Sequence, residues 1–333
     1  MVGAGGIGGV VAAGLADAGC SVQVVDTDES HVRAIRAHGL RVSGLVDDVI
    51  RIVASTPDDA PTSLLQVVLA VKAHHVDAAL DFVSPRLRPD GFVLTLSNGL
   101  AAVQVASEVG SARTLVGQAS FGAQLLGPGH VVMGARGSVL LGGYDGGTSP
   151  RTQRVAEDFR SALGTATVVS DAMGLAWSKF VLVIIYIGTA LDGRPMADVF
   201  GDAKSRPTLS VLAGAVVELA HNAGIVLRPI DDVNVESLAD PRAAAWRTLQ
   251  HEAEVARARR PRGGVYEDLV VHRRPTEVPA MLAAALAYAQ PGSGPDRTIR
   301  ALNARVAAAE REPSVLHPAF LRALLSDREV EHA

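Results

Sequence analysis

The strongest constraint on this chain is the run Gly3-Ala4-Gly5-Gly6-Ile7-Gly8, which fits the pattern G-x-G-x-x-G. An apolar helical stretch follows at once, IGGVVAAGLADAG, and then a β-branched strand, SVQVVD, ending on Asp26. Each glycine has its own physical task. The first permits a tight strand-to-helix turn and the second lets the backbone approach a pyrophosphate. The third lets the helix pack close to the strand, with the free N–H groups of the helix start facing the phosphates. Asp26 stands 23 positions after Gly3, where a carboxylate accepts hydrogen bonds from ribose hydroxyls. A glycine-rich turn alone is weak evidence, but turn, helix, strand and carboxylate in this order define a Rossmann-type dinucleotide unit. Gly3, Gly5, Gly6, Ile7 and Gly8 fall at the pyrophosphate and Asp26 at the ribose. A carboxylate there repels a 2′-phosphate, so NAD(H) is favoured over NADP(H). His31 and Arg33 stand close enough in sequence to soften that preference.

The pattern begins early, with only Met1 and Val2 ahead of Gly3. A strand at the centre of such a sheet runs about five residues. The expectation is therefore that the natural protein begins several residues earlier, with an apolar strand.

Length and composition set the frame. The chain has 333 residues, 48% hydrophobic and 20% charged, enough for two domains with ordinary globular cores. A net charge of −4 argues against binding nucleic acid or an anionic membrane, which calls for a basic surplus. The basic run Arg257–Arg262 reads as a solvated helix end or loop, with an anion contact as the alternative. The single cysteine, Cys20, cannot form an internal disulfide, which fits a reducing compartment. No secretory leader is recognised, and the apolar run Phe180–Leu191 reads as a buried helix too short to span a bilayer. A cytoplasmic α/β protein is expected.

Short β-branched runs alternate with helical patterns in the first half, as in a doubly wound parallel sheet. Strands are expected at Ser21–Asp26, Leu65–Val71 and Gly91–Ser97, and helices at Ile7–Ala18, Glu29–Ala37, His74–Phe82 and Ala101–Val109. The alternating stretch Leu40–Ser55 reads as an antiparallel hairpin at a sheet edge, and TLVGQAS, HVVMGA and SVLLGG continue the β character. From Leu175 onward helical spacing takes over. The expected division is a dinucleotide domain over 1–170 and an all-helical domain over 171–333.

Further stretches occur in a telling order: LAVKAHHVDAAL, LTLSNGL, VGQASFGAQLLGPGHVVMG, WSKF, GRP and YEDLVVHRRPTEV. With the glycine loop they resemble the ketopantoate reductase family, 2-dehydropantoate 2-reductase and related 2-ketoacid reductases, from Met1 to about Ala307. The resemblance implies a Rossmann domain and a helical domain that supports a homodimer. It also implies reduction of a 2-keto acid by a nicotinamide cofactor in the cleft between the two. Lys179 of WSKF falls on the family's lysine. Its ammonium would polarise the ketone and donate a proton to the developing alkoxide; a lysine in so apolar a helix otherwise has only the option of snorkelling to solvent. Glu277 of RPTEV matches the acidic site residue that pairs with the lysine, against the plainer reading of a helix-start carboxylate. Asn98 of SNG would bridge cofactor and lysine, and Lys72 of AVKA ends a strand beside the cofactor; the plain alternatives are an Asn-Gly turn and an exposed lysine.

The departures from the family pattern bear on the substrate. The family commonly places asparagines four and eight residues after the lysine. Here Val183 takes the first place and Ile187 or Tyr186 the second, and no asparagine occurs between Lys179 and Asn222. Met196 replaces another asparagine, and Gly264 or Val265 stands at a substrate-binding serine. Losing such partners disfavours a hydroxylated substrate by large factors. A pocket of Val183, Tyr186 or Ile187, Met196 and Gly264 fits a 2-keto acid with an apolar side chain. The alternatives are a genuine ketopantoate reductase with rebuilt contacts, and a dinucleotide-binding sensor or scaffold without turnover. HEAEV at His251 lacks the second histidine of a zinc motif, and no catalytic metal is expected.

Overall fold

A computed structural model of the chain describes residues 1–135, 137–258 and 261–326, in two compact units, Met1–Met173 and Gly174–Ala333. Arg259 and Arg260 of the basic run lie outside the described residues.

The first unit holds β1 (Gln23–Val25), β2 (Leu40–Gly44), β3 (Asp48–Ile50), β4 (Val53–Ser55), β5 (Leu64–Leu69), β6 (Leu87–Thr95), β7 (Thr114–Ala119), β8 (Gly122–Gly127), β9 (His130–Ala135), β10 (Val139–Gly143) and β11 (Thr167–Val168). Its helices are α1 (Gly6–Asp17), α2 (Glu29–His38), α3 (Val76–Val83), α4 (Ala101–Val109) and α5 (Pro150–Leu163). The main sheet runs β4-β1, then the segment Met1–Gly3, then β5-β6-β7-β10-β11. Its pairings are parallel except β7 with β10. Val2 bridges Val25 on one side and Leu69 on the other. Four backbone hydrogen bonds stitch it in: Val2 N–H to Val68 O, Gly3 N–H to Val25 O, Val25 N–H to Met1 O and Ala70 N–H to Val2 O, all within 2.8–2.9 Å. Met1–Gly3 thus occupies the central strand position of the sheet.

A second sheet has the order β3-β2-β9-β8. The expected hairpin over Leu40–Ser55 forms only in part. β2 and β3 pair antiparallel, but β2 also pairs parallel with β9, and the tail Val53–Ser55 leaves to lie beside β1 in the main sheet. Helix α1 packs on both sheets. Val10, Val11 and Leu15 share one core with Val24, Leu94 and Leu115 of the main sheet and Val131 of the second. Closeness is enforced by glycine: a Cβ on Gly9 would lie 2.8 Å from the Val131 side chain, and one on Gly6 would lie 2.7 Å from the Ala123 carbonyl.

The second unit is helical: α6 (Ala172–Asp192, whose first residues belong to the first unit), α7 (Met196–Gly201), α8 (Arg206–Asn222), α9 (Ala245–Ala256), α10 (Gly264–Tyr266), α11 (Val278–Leu286), α12 (Gly294–Arg311) and α13 (Pro318–Arg322). Helix α6 extends well beyond the expected apolar run. With 21 residues it is long and apolar enough, by length and composition, to cross a membrane, yet 78% of its apolar window is buried inside the chain. A helix hydrophobic all round is explained by such burial. Its C-terminal turn is fixed by charge. Asp192, side chain wholly buried, receives Arg194 on both oxygens at 2.6 and 2.9 Å, and Arg194 also reaches Asp202 at 2.7 Å. Ser205 adds a hydrogen bond to Asp192, so the buried carboxylate is fully partnered, as burial of a charge requires.

Candidate functional site

On the first unit the sheet register gathers the predicted nucleotide residues past the carboxyl ends of neighbouring strands, where ligands bind in open α/β sheets. Val25 lies beside Val2, Val2 beside Leu69, and Leu69 beside Thr95. Gly3 and Asp26 therefore follow one another across the sheet, and Lys72 and Asn98 each stand three residues beyond a paired strand residue. Gly3 has φ +87°, and a Cβ on it would lie 2.8 Å from the Ala70 carbonyl oxygen. On Gly8 a Cβ would collide with the Gly3 carbonyl oxygen. At Gly5, by contrast, a Cβ would meet nothing within 4 Å. Gly5 is the N-cap of α1 and offers no side-chain cap. The first N–H groups of that helix therefore have no side-chain cap, the arrangement an anion can complete. These residues fit a dinucleotide pyrophosphate.

Asp26 is half-buried, and its carboxylate is already oriented. Oδ2 accepts the Ala4 N–H at 2.7 Å and Oδ1 accepts the Asp28 N–H at 3.0 Å. Each oxygen keeps a second lone pair for a ribose hydroxyl. Asp28 in turn caps α2 through the N–H groups of Ser30 and His31, and the Ser30 hydroxyl beside it holds its carboxyl below the usual range. Of the two cations expected to soften the preference for NAD(H), one is withdrawn from solvent and one stays on the surface. His31 is buried, at 1% exposure, with both ring nitrogens in contact with backbone at Ala4 and Gly129. Arg33 pairs with Glu29 at 3.5 Å on the exposed face of α2. Lys72 precedes a short 3-10 turn, Ala73–His75, and Asn98 is exposed ahead of Gly99, whose φ of +74° makes the Asn-Gly turn. The Ser97 hydroxyl ties the two strand ends together through the Val71 carbonyl at 2.7 Å.

On the second unit the constellation centres on α6. Four of its residues escape full burial: Leu175, Lys179, Val183 and Tyr186. Spacings of four, four and three put them on one stripe of the helix. Ile187, offered with Tyr186 as a pocket residue, is 0% exposed and belongs to the core. Burial pushes the Lys179 ammonium down to about 8, while the Glu277 carboxylate works in the opposite direction. Glu277 heads α11, but its side chain does not cap that helix. It is held in place by its neighbour: Thr276 is buried and gives both its N–H and its hydroxyl to Glu310 at 2.8 Å. Next to the lysine, the Ser178 hydroxyl donates to Gly174 O at 2.8 Å and accepts the Arg228 N–H at 2.7 Å.

Met196 and the Gly264 segment come together. The Met196 N–H donates to Pro261 O at 2.9 Å, and Arg262 donates to Gly193 O at 3.0 Å while stacking on Tyr266. Met196 is itself buried, at 8% exposure, and Tyr186 lies against Phe200 of α7. Ser178, Thr276 and Glu310 were not singled out from sequence, and His31 was read only as a cation near the ribose. Only His31 left a signal, as a polar residue on the apolar face of α2 with Val32 and Ile35. Among the described residues no group of three or more His, Cys, Asp or Glu side chains is arranged to hold a metal ion.

A mainly parallel sheet with a glycine turn, an oriented carboxylate at Asp26 and a helical second unit whose lysine is desolvated fit a Rossmann-type oxidoreductase. The family model described as ketopantoate reductase PanE/ApbA matches residues 1–146. A 2-dehydropantoate 2-reductase of Halobacterium salinarum is 30% identical over 262 residues, covering 76% of this chain and 82% of the relative. The chain belongs to the ketopantoate reductase family of NAD(P)-dependent oxidoreductases. A 2-dehydropantoate 2-reductase of Pyrococcus abyssi is 29% identical over 196 residues, and the match spans 58% of this chain and 63% of that relative. Among solved structures, D-mandelate dehydrogenase with NADH and anilino(oxo)acetate has a TM-score of 0.76 at 18% identity, covering 95% of this chain and 100% of the other. A PanE/ApbA family ketopantoate reductase from Ralstonia eutropha has a TM-score of 0.74 at 21% identity, with 94% and 100% covered. These two likenesses establish the fold.

Proposed function

We propose that the chain reduces a 2-keto acid with an apolar side chain to the 2-hydroxy acid, with NADH as the reductant. The observation that carries this reading is the open stripe of α6, where Lys179 is followed by Val183 and Tyr186 and by no amide. A bound reduced nicotinamide supplies the hydride. The Gly5 turn and the start of α1 hold its pyrophosphate, and Asp26 takes the ribose hydroxyls. Asp28 adds negative charge two residues from Asp26, which supports a free 2′-hydroxyl over a 2′-phosphate.

The Lys179 ammonium binds the ketone oxygen and gives up a proton as negative charge develops there. A value near 8 keeps it charged at neutral pH and ready to release that proton. Glu277 holds the ammonium in place. Val183 and Tyr186 offer an apolar surface that matches a branched or aromatic side chain. The structural likeness to D-mandelate dehydrogenase, solved with NADH and a carboxylate flanked by a carbonyl, supports the same choice. A second reading, reduction of ketopantoate itself, is favoured by the names of the curated relatives. The family resemblance further supports a homodimer in the cytoplasm.

Oxidation of NADH and NADPH with ketopantoate, 2-ketoisovalerate and phenylglyoxylate tests the proposal. The expected result is turnover of the last two with NADH. Turnover of ketopantoate alone overturns the apolar-pocket reading, and a preference for NADPH overturns the cofactor reading.

A further inference from the structure

Ala4 lies inside the glycine turn, wholly buried, and both its backbone polar groups are held by side chains of residues 26–31. Its N–H donates to Asp26 at 2.7 Å, and its carbonyl oxygen lies 3.0 Å from His31 Nε2. The other ring nitrogen, Nδ1, receives the N–H of Gly129 at 2.9 Å. A ring nitrogen that accepts an N–H carries no proton, so in this arrangement the proton sits on Nε2 and is donated to Ala4. Gly129 lies in the turn between β8 and β9 with φ +72°. The imidazole therefore ties the glycine turn to the second sheet.

The consequence follows from the peptide plane. In a trans peptide the C=O and the next N–H point in opposite directions. An Ala4 carbonyl turned inward to His31 sends the Gly5 N–H the opposite way, at a residue where an added Cβ would meet nothing within 4 Å. Glycine on the Gly5 side leaves φ there unrestricted, so the plane can turn unless its carbonyl is fixed. Asp26 fixes only the preceding plane, through the Ala4 N–H.

We propose that His31 is a positioning residue for the dinucleotide: it orients the Ala4–Gly5 peptide so that the Gly5 N–H faces the pyrophosphate. The inference rests on the dinucleotide reading above and deepens it. His31 acts from behind the turn, through backbone, and makes no contact with the substrate.

Two substitutions separate its two hydrogen bonds. Asparagine places an acceptor where Nδ1 stands and keeps the Gly129 bond without reaching Ala4. Glutamine places an N–H donor where Nε2 stands and keeps the Ala4 bond without the Gly129 one. Fluorescence titration of NADH is expected to show binding weakened about tenfold or more in His31→Asn and by no more than about threefold in His31→Gln. The kcat at saturating NADH and the KM for the keto acid stay near wild type in both. Equal weakening in the two variants, no weakening in either, or a loss confined to kcat overturns the assignment. A wild-type protein that binds neither NADH nor NADPH overturns the dinucleotide reading and this proposal with it. Binding by wild type with both variants unchanged overturns the role of His31 alone. Should the variants fail to fold, ¹⁵N-histidine spectra of the wild type decide. A bare Nδ1, with an Nε2–H resonance that moves on adding NADH, is expected; the opposite tautomer or an unmoved resonance overturns the proposal.

Discussion

Lys179 shows how one residue is tuned by opposing forces. Burial removes water from the ammonium and lowers its affinity for a proton to about 8, while the Glu277 carboxylate limits the fall. In the proposed reaction reduction consumes the proton that this group holds, so there the charged form is the active one. The expected pH profile of kcat/KM for reduction is level below about pH 8 and falls above it; oxidation of the hydroxy acid has the reverse dependence, and initial rates in the two directions check both. Lys179→Met should lower kcat for reduction by at least about 10²-fold. Its melting temperature should equal or exceed that of wild type, because a buried charge gives way to an apolar chain. Sequence made some of these residues visible and hid others for a physical reason. The glycines and Asp26 act through local backbone chemistry at fixed spacing. The partners of His31 stand 27 and 98 residues away in the chain, and no local pattern records them.

At the scale of elements, the helices were the more legible part. Glu29–His38 and Ala101–Val109 are amphipathic, with capping or breaking residues at their ends, and lie at or within a residue of the expected bounds. Strand partners were less so. β2 reads as half of a hairpin, yet its other edge pairs with β9, nearly 90 residues on, and that pairing creates a second sheet. The fragment GAQLLG, quoted for the family resemblance, was not read as a strand because its leucines are solvent-exposed: β8 is an edge strand with Leu125 and Leu126 exposed. Helix α6 was recognised as buried, but only its accessibility separates Tyr186, on the open stripe, from Ile187, in the core. That distinction leads to a test. Val183→Asn restores an amide to the stripe, and the ratio of kcat/KM for ketopantoate over 2-ketoisovalerate should rise by at least about tenfold. Ile187→Asn should instead destabilise the fold, since it buries an amide in an apolar core; its melting temperature reports this.

The whole molecule has a sheet unit, to which the proposed function assigns the dinucleotide, and a helical unit, to which it assigns the acid. A ligand bound only by the folded state raises stability by mass action, about 2.7 kcal/mol at a hundred times its Kd. NADH at such a concentration should therefore raise the melting temperature by about 5–10 °C. NADPH at equal concentration should raise it less, because in the proposed ribose site the Asp26 carboxylate repels a 2′-phosphate. Differential scanning fluorimetry checks both, and an equal shift would contradict the charge reading. Chemistry and scaffold are also separable within α6. Seventeen of its residues are buried and four are only partly so, one of them the lysine. Leu175, Val183 and Tyr186 are left as positions that can drift without melting the core. Substrate range in such a protein is easily evolvable: a small combinatorial library at three sites explores new keto acids while the proton donor and its support stay untouched.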